Sequence, residues 1–375
     1  MRVGVLVHAL TGGGGEAVAR SWAEQLAARG HQVSYLLYGP DARAGSDRAI
    51  ETFMFPGSST IDRWLLLPAW VRRTATQRKF DVVLSVLSFS NLTALRALVG
   101  PRPRAIPVVL SEHTVPTMHW CYEGAGGRVK DQLARLLYRR ADAVIAVSHA
   151  VATDLRARYG VGADRLFVLP NPVPAVDNLP VSMPVNVGEL QRILVVGRLC
   201  EVKRIDRLFK VLDVLRAWGL ACSAVVIGDG PARTELEEYA ARRRLPVDFL
   251  GWAVPWQKHV RPGDCLLVTA DVEGFGNVLV EAAAAGLPAV APSTALGVAD
   301  ALVPGLTGVL ARSARAEDLA EALVEASALP VHPQRVESWL RTFSPALAGL
   351  RLETILTQVR QRPRWESQGR TGRCC

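Results

Sequence analysis

At 375 residues the chain is longer than one ordinary domain, and with 49% hydrophobic residues it has the apolar content for two cores. Its six cysteines (121, 200, 222, 265, 374 and 375) show neither metal-ligand nor disulfide-framework spacing, and no apolar run nears the ~18 residues that span a bilayer, which excludes a zinc module, a stapled scaffold and an integral membrane protein. The net charge of +9 is uneven, since residues 1–185 hold 21 Lys and Arg against 14 Asp and Glu and the remainder 23 against 21; the first half carries either a binding face for acidic partners or a solvated arginine-rich surface.

Residues 3–7 predict a strand, 16–28 an amphipathic helix closed by Gly30, and 32–37 a second strand. The apolar run at 3–10 follows a single Arg2 and enters a glycine loop, so no signal peptide is read and a cytoplasmic protein is expected. Runs at 81–86, 106–111, 143–147 and 165–169 predict further strands, with helices at 128–140 and 150–158. The turn Pro170-Asn171-Pro172 closes this half, and prolines 172, 174, 180 and 184 mark a linker. A second alternating set follows: strands at 193–196, 223–227, 247–250, 265–269 and 289–291, and helices at 205–218, 232–244, 278–285 and 316–328. Such alternation implies two doubly wound α/β domains of Rossmann type facing a cleft. The division is 1–175 for the first domain, 176–190 for the linker, 191–345 for the second domain and 346–375 for a C-terminal helix and tail. The amphipathic helical stretch at about 333–360 is expected to pack back on the first domain. Cys374-Cys375 would suit a lipidated eukaryotic tail, but the arginine, alanine and glycine bias favours bacterial coding.

The segment EGFGNVLVE at 273–281 is the most informative in the chain. Gly274 to Asn277 join a buried strand to a helix, where glycines admit a ligand close to the backbone and the helix N–H groups favour an anion. Glu273 at the strand mouth and Glu281 two turns into the helix can each accept from a hydroxyl-bearing ring, with a phosphate seat between them. A plain strand-to-helix loop with two surface carboxylates is the competing reading. Arg198, a planar phosphate fork, and Lys203, a point charge, follow the first strand of the same domain. The turn Gly228-Asp229-Gly230-Pro231 follows another of its strands. In doubly wound sheets ligands sit at the carboxyl ends of strands, where this loop and the glycines at 12–15 both fall.

The segments GRLCEVKRID, VIGDGP, FLGW and EGFGNVLVEAAAAGLPAVA, across about 193–312, resemble the second domain of family-four retaining glycosyltransferases. Weaker likeness extends through GGGGEAVARSWAEQLAARGHQV, SEHT, AVSHAVATDL and VLPNPV. The resemblance implies a GT-B fold, a nucleotide diphosphate sugar donor, no cofactor, and no nucleic-acid partner. By position, Arg198 and Lys203 would hold the diphosphate, and Glu273 with the backbone of Phe275, Gly276 and Asn277 the donor sugar. Glu281 would bind the ribose, and Trp252 and Ala253 would meet the nucleobase. His113 would touch the sugar from the opposite domain, unless it is a capping or core histidine; Gly14 and Gly15 would lie near the phosphates. Arg204, where the family has glycine, and the stretch 295–300, which replaces a double-glycine and Glu pattern, depart from the family. Charge building on the leaving diphosphate would be met by these cations without a metal, and retention would proceed on the front face of the sugar, the leaving phosphate taking the acceptor proton.

Residues 12–17 also fit a dinucleotide fingerprint (Gly12-x-Gly14-x-x-Ala17), but Leu36-Leu37-Tyr38-Gly39 offers no acidic residue after the second strand, which argues against an NAD-dependent oxidoreductase. A non-catalytic nucleotide-sugar-binding protein is disfavoured by the complete set Arg198, Lys203, Glu273 and Glu281. Trp64, Trp70, Arg72 and Arg73 lie in an apolar, basic stretch at 61–79 that suits an anionic membrane surface. That stretch suggests peripheral attachment to the inner leaflet and a polyprenyl-diphosphate-linked acceptor; a helix packed on the first sheet, with a soluble acceptor, is the alternative.

Overall fold

The structure, a computed structural model, describes residues 1–40, 50–99, 106–173, 189–330 and 332–362. The expected linker falls mostly outside the described residues, as does the tail with Cys374 and Cys375.

Short apolar runs such as VGVLV and ILVV are buried along most of their length, as parallel strands covered on both faces require. The first sheet contains β1 (Arg2–Val7), β2 (Gln32–Leu37), β3 (Glu51–Met54), β4 (Val82–Val86), β5 (Val108–Glu112), β6 (Ala143–Ala146) and β7 (Leu166–Val168) in the parallel order β3-β2-β1-β4-β5-β6-β7. Its helices are α1 (Gly14–Ala28), α2 (Thr60–Leu65), α3 (Leu67–Gln77), α4 (Ser88–Leu98), α5 (Pro116–His119), α6 (Gly124–Leu137) and α7 (His149–Tyr159). The second sheet holds β8 (Arg192–Val196), β9 (Ser223–Ile227), β10 (Val247–Gly251), β11 (Asp264–Leu267), β12 (Ala289–Pro292) and β13 (Gly308–Ala311) in the order β10-β9-β8-β11-β12-β13. With it go α8 (Asp206–Ala217), α9 (Arg233–Arg242), α10 (Asn277–Ala284), α11 (Ala316–Ser327), α12 (Pro333–Leu340) and α13 (Pro345–Gln361). Both domains are doubly wound, as the strand–helix alternation requires.

The C-terminal helical stretch is divided into α12 and α13. Ser344 Oγ accepts from Leu347 N–H (3.4 Å) and Pro345 stands at the first helical position, so a cap and a proline start α13 afresh. α13 packs on α1: Leu352, Leu356 and Val359 share a buried cluster with Val18, Trp22 and Leu26. Arg29 and His31 both donate to Glu353, at 2.6 and 2.9 Å. The segment between α12 and α13 stays with the second domain through Phe343, whose ring lies 5.6 Å from that of Phe275.

The two domains meet in a closed arrangement. One buried cluster includes Val115 and Val173 of the first domain and Phe275 and Val298 of the second. Polar contacts cross the same seam. Tyr122 donates to Asp271 (2.7 Å), Asn171 Nδ2 to Asn277 Oδ1 (2.8 Å), and the His149 backbone N–H to Asp300 (2.7 Å).

Candidate active site

The second-domain half of the cleft is built on loops at the carboxyl ends of β8, β9 and β11. Gly276 adopts φ 89°, a conformation cheap only for glycine, and from there starts α10 with its free N–H groups facing the cleft. Lys203, at the end of a short 3₁₀ turn, donates to Glu273, and the Lys203 carbonyl accepts from Thr269 Oγ1 (2.7 Å). A cation and a carboxylate therefore stand side by side at the helix N-terminus. Arg198 is exposed on the same lip. Gly228 and Gly230 pack so closely on the Gly197 and Leu199 carbonyls that a Cβ at either would collide, which brings the Gly-Asp-Gly turn against the Arg198 loop.

Both departures from the family pattern have a structural reason. Arg204 takes the left-handed conformation at φ 48° that glycine would adopt without strain. It is held there by Asp206 (2.9 Å at both guanidinium contacts) and by Asp271 (3.2 Å). In the stretch 295–300, Gly297 is retained where a Cβ would strike the backbone of Glu273 and Gly274, and its N–H donates to the Glu273 carbonyl (3.2 Å). Asp300, at the end of this stretch, reaches His149 across the cleft.

The opposing half comes from the first domain. His113 follows β5, and its carbonyl packs against Gly274 so tightly that no side chain fits between them. Ser111 Oγ lies 2.9 Å from Nε2, while Nδ1 is sealed from solvent and has no hydrogen-bond partner among the described residues, although the residue as a whole is only partly buried. Burial lowers the His113 pKa to about 3, so the ring is neutral. Beneath it the fully buried Glu112 accepts from Ser88 Oγ (2.7 Å), Asn91 Nδ2 (3.3 Å), Tyr138 OH (2.7 Å) and the His113 N–H (3.2 Å). Burial raises the Glu112 pKa against the pull of these donors. The glycine loop completes the wall: a Cβ on Gly14 would sit 3.2 Å from Asn277 Nδ2, and one on Gly15 would meet the Leu87 side chain. Glu16, raised in pKa by burial, feels the charge of Arg198 across the gap.

The structure thus brings Gly14, Gly15, His113, Arg198, Lys203, Glu273, Gly276 and Asn277 to one cleft. The Phe275 side chain is buried against Phe343, which leaves its backbone to the loop. Trp252 is exposed and Ala253 partly buried on the turn after β10. Glu281 is less open than expected: Trp256 Nε1 donates to it at 2.6 Å, and burial raises its pKa despite that bond. Trp256 and Glu112 were missed from the sequence. A tryptophan that must bury its indole N–H needs an acceptor nearby, and that was the available signal for Trp256. The tryptophans of the α2–α3 segment are half-buried. Trp64 and Trp70 turn inward, their rings 5.4 Å from Phe89 and 5.7 Å from Phe55. The apolar residues left facing solvent are Ile61 (69% exposed), Leu65 (67%) and Leu66 (57%), because the capped helix puts these on its outer side. Arg72 and Arg73 are both exposed, and Arg72 Nε donates to the Ala97 carbonyl (2.6 Å).

Comparison with known proteins agrees with this geometry. The family model Glycosyltransferase Family 4 matches residues 12–176, and Glycosyl transferases group 1 matches residues 191–328. Among curated proteins, a phosphatidylinositol N-acetylglucosaminyltransferase subunit from Arabidopsis thaliana is 28% identical over 72% of this chain and 60% of its own length. The lipopolysaccharide 1,6-galactosyltransferase of Salmonella typhimurium is 31% identical over 45% of this chain and 48% of its own. The matches therefore span about half to three fifths of those relatives. Among solved structures, the lipopolysaccharide outer core galactosyltransferase WaaB superposes with a TM-score of 0.73 at 19% identity, covering 96% of this chain and 99% of that one. Anabaena HepE in complex with UDP and glucose gives 0.73 at 19% identity, covering 95% and 99%. The chain belongs to the family-four glycosyltransferases and has their GT-B fold.

Proposed function

We propose that this glycosyltransferase moves a hexose or N-acetylhexosamine from a UDP-linked donor, with retention, to a hydroxyl of a lipid-linked glycan at the inner face of a membrane, in surface-polysaccharide assembly. The observation that carries the donor reading is the Lys203–Glu273 pair beside the Gly276-initiated N-terminus of α10. Breaking the sugar–phosphate bond builds negative charge on the diphosphate. Lys203, Arg198 and the helix N–H groups stabilise it where it develops, and a preorganised site incurs no reorganisation cost at that moment. Glu273 beside them accepts from sugar hydroxyls. Neutral His113, backed by Glu112, meets the sugar from the other side. The acceptor attacks on the face the leaving group departs from, and the departing phosphate takes its proton. The site needs neither cofactor nor metal for this. The HepE complex with UDP and glucose supports a donor of that class.

The acceptor reading rests on the outer surface of α2 and α3. Exposed Ile61, Leu65 and Leu66 adjoin a groove of about 510 Å³ lined by Leu65, Pro68, Arg72, Arg73 and Arg96. Apolar side chains beside arginines suit an anionic lipid surface, where each cation contributes about 1 kcal/mol. No helix among the described residues is long and apolar enough to cross a membrane. The names of the phosphatidylinositol- and lipopolysaccharide-directed relatives are consistent with a lipid-borne acceptor. A soluble acceptor is the second reading, and inward-turned Trp64 and Trp70 favour it. Vesicle co-sedimentation separates the two: binding should rise with anionic lipid, fall with salt, and weaken in a Leu65→Ser, Leu66→Ser variant. Wild-type protein that ignores such vesicles and glycosylates a water-soluble acceptor efficiently would defeat the membrane reading. Product anomer analysis by NMR tests retention, and an inverted anomeric centre would exclude it.

A further inference from the structure

We propose that Arg63, with the aromatic wall formed by Trp64, Phe89 and Tyr38, is the seat for a phosphoryl group carried by the acceptor. α2 is short, but its rotation about its own axis is set by a capping box: Asp62 N–H donates to Ser59 Oγ (3.0 Å) and Ser59 N–H to the Asp62 carboxylate (3.1 Å). That phase turns Ile61 and Leu65 outward and lays Trp64 on Phe89. The ring of Phe89 lies 5.6 Å from Tyr38, and Tyr38 OH sits 2.9 Å from Ser90 Oγ at the start of α4. These groups stand at the carboxyl ends of β2 and β4, the edge of the first sheet that also presents Glu16 and His113.

Arg63, next to Trp64 in the chain, is partly buried, and its Nε is sealed and has no hydrogen-bond partner among the described residues. A sealed guanidinium N–H without an acceptor is costly, so the arrangement is incomplete as it stands. Arg63 and Glu16 act with opposite sign on the buried Tyr38 hydroxyl. Arg96 lies over the Trp64 ring at 5.2 Å and adds a second cation to the wall. An anion entering between Arg63 and the rings would satisfy Nε and could use the planar guanidinium fork, which matches a phosphoryl group. Arg63 thus belongs to the first-domain side of the molecule, while Arg198 belongs to the second domain. The exposed leucines on the same helix fit a phosphoryl group borne on a lipid, and in that respect the inference rests on the acceptor reading above.

The test holds the donor site full with saturating UDP and reads tryptophan fluorescence and calorimetry for three probes: farnesyl diphosphate, farnesol and glucose 1-phosphate. Wild-type protein should bind farnesyl diphosphate well above farnesol. Arg63→Gln should weaken that binding by about tenfold or more, the factor a charge-assisted hydrogen bond carries. Arg63→Lys should keep part of it, with UDP affinity and melting temperature unchanged in both variants. Equal affinities of wild type and Arg63→Gln for farnesyl diphosphate, or no binding by wild type, would overturn the proposal. Glucose 1-phosphate bound as tightly as farnesyl diphosphate and equally dependent on Arg63 would uphold the phosphoryl seat and assign it to a soluble acceptor. Vesicle sedimentation of Arg63→Gln keeps the two readings apart, since Leu65, Leu66 and Arg73 remain in place.

Discussion

Gly274→Ala probes the closed seam between the domains. Gly274 has no room for a Cβ because the His113 carbonyl and the Thr114 Cα of the opposite domain occupy that space. Neither neighbour is the end of a flexible side chain. The His113 backbone is tied down by its N–H bond to buried Glu112 (3.2 Å) and by the end of β5, so it cannot yield cheaply. Non-bonded carbon contacts relax only near about 3.5 Å, so a methyl group there forces the domains apart by the order of 1 Å. Misplacing reacting groups by that much costs on the order of 10²-fold in rate. The groups proposed to hold the nucleotide, Arg198, Lys203 and the α10 amides, all belong to the second domain and should keep their affinity. The assay is UDP release from the UDP-sugar that most stabilises the protein, paired with UDP calorimetry and small-angle scattering. The variant should lose turnover, retain UDP affinity and show a larger radius of gyration. Wild-type turnover with an unchanged radius would refute the closed seam. A matched loss of affinity and rate would instead locate the damage within the second domain.

Arg198→Ala should weaken UDP binding by about 1.5–3 kcal/mol with the melting temperature preserved, and unchanged affinity in calorimetry would remove Arg198 from the diphosphate site. Glu273→Gln should lower turnover far more than UDP affinity, because contacts to the sugar strengthen as the ring gains charge; equal losses would count against that role. His113, its pKa held down to about 3 by burial, stays neutral when the unfolded imidazole protonates near ~6.5. The unfolded chain then binds more protons, so stability is retained above about pH 6.5 and lost as pH falls toward 3. His113→Gln should flatten that limb in denaturant melts, and superimposable limbs would contradict the burial. Activity should persist in EDTA, since Arg198, Lys203 and the α10 N-terminus supply positive charge at the proposed diphosphate site. Complete loss, restored by magnesium or manganese, would overturn that expectation.

Local chemistry in the sequence was enough for the two doubly wound domains and for the strand-to-helix loop at 274–277. Strand–helix alternation has a period that shows in the chain, and Gly276 before α10 is required by a backbone conformation that other residues reach only with strain. Arg198, Lys203 and Glu273 were legible because each follows a strand and ends at the same sheet edge. What the sequence could not supply depends on the packing of residues distant in the chain. The bond from Trp256 to Glu281 rests on the fold of the second domain. The pairs Tyr122–Asp271 and His149–Asp300 exist only because one domain closes on the other at one angle. The cradle of Glu112 gathers Ser88 and Asn91 from the first turn of α4 and Tyr138 from the 3₁₀ turn after α6, and a carboxylate inside an apolar run reads locally as no more than a strand end. The direction of Trp64 was likewise decided in three dimensions. An amphipathic period identifies a two-sided helix, but whether a tryptophan faces lipid or a phenylalanine depends on what the neighbouring helix presents, and α4 presents Phe89.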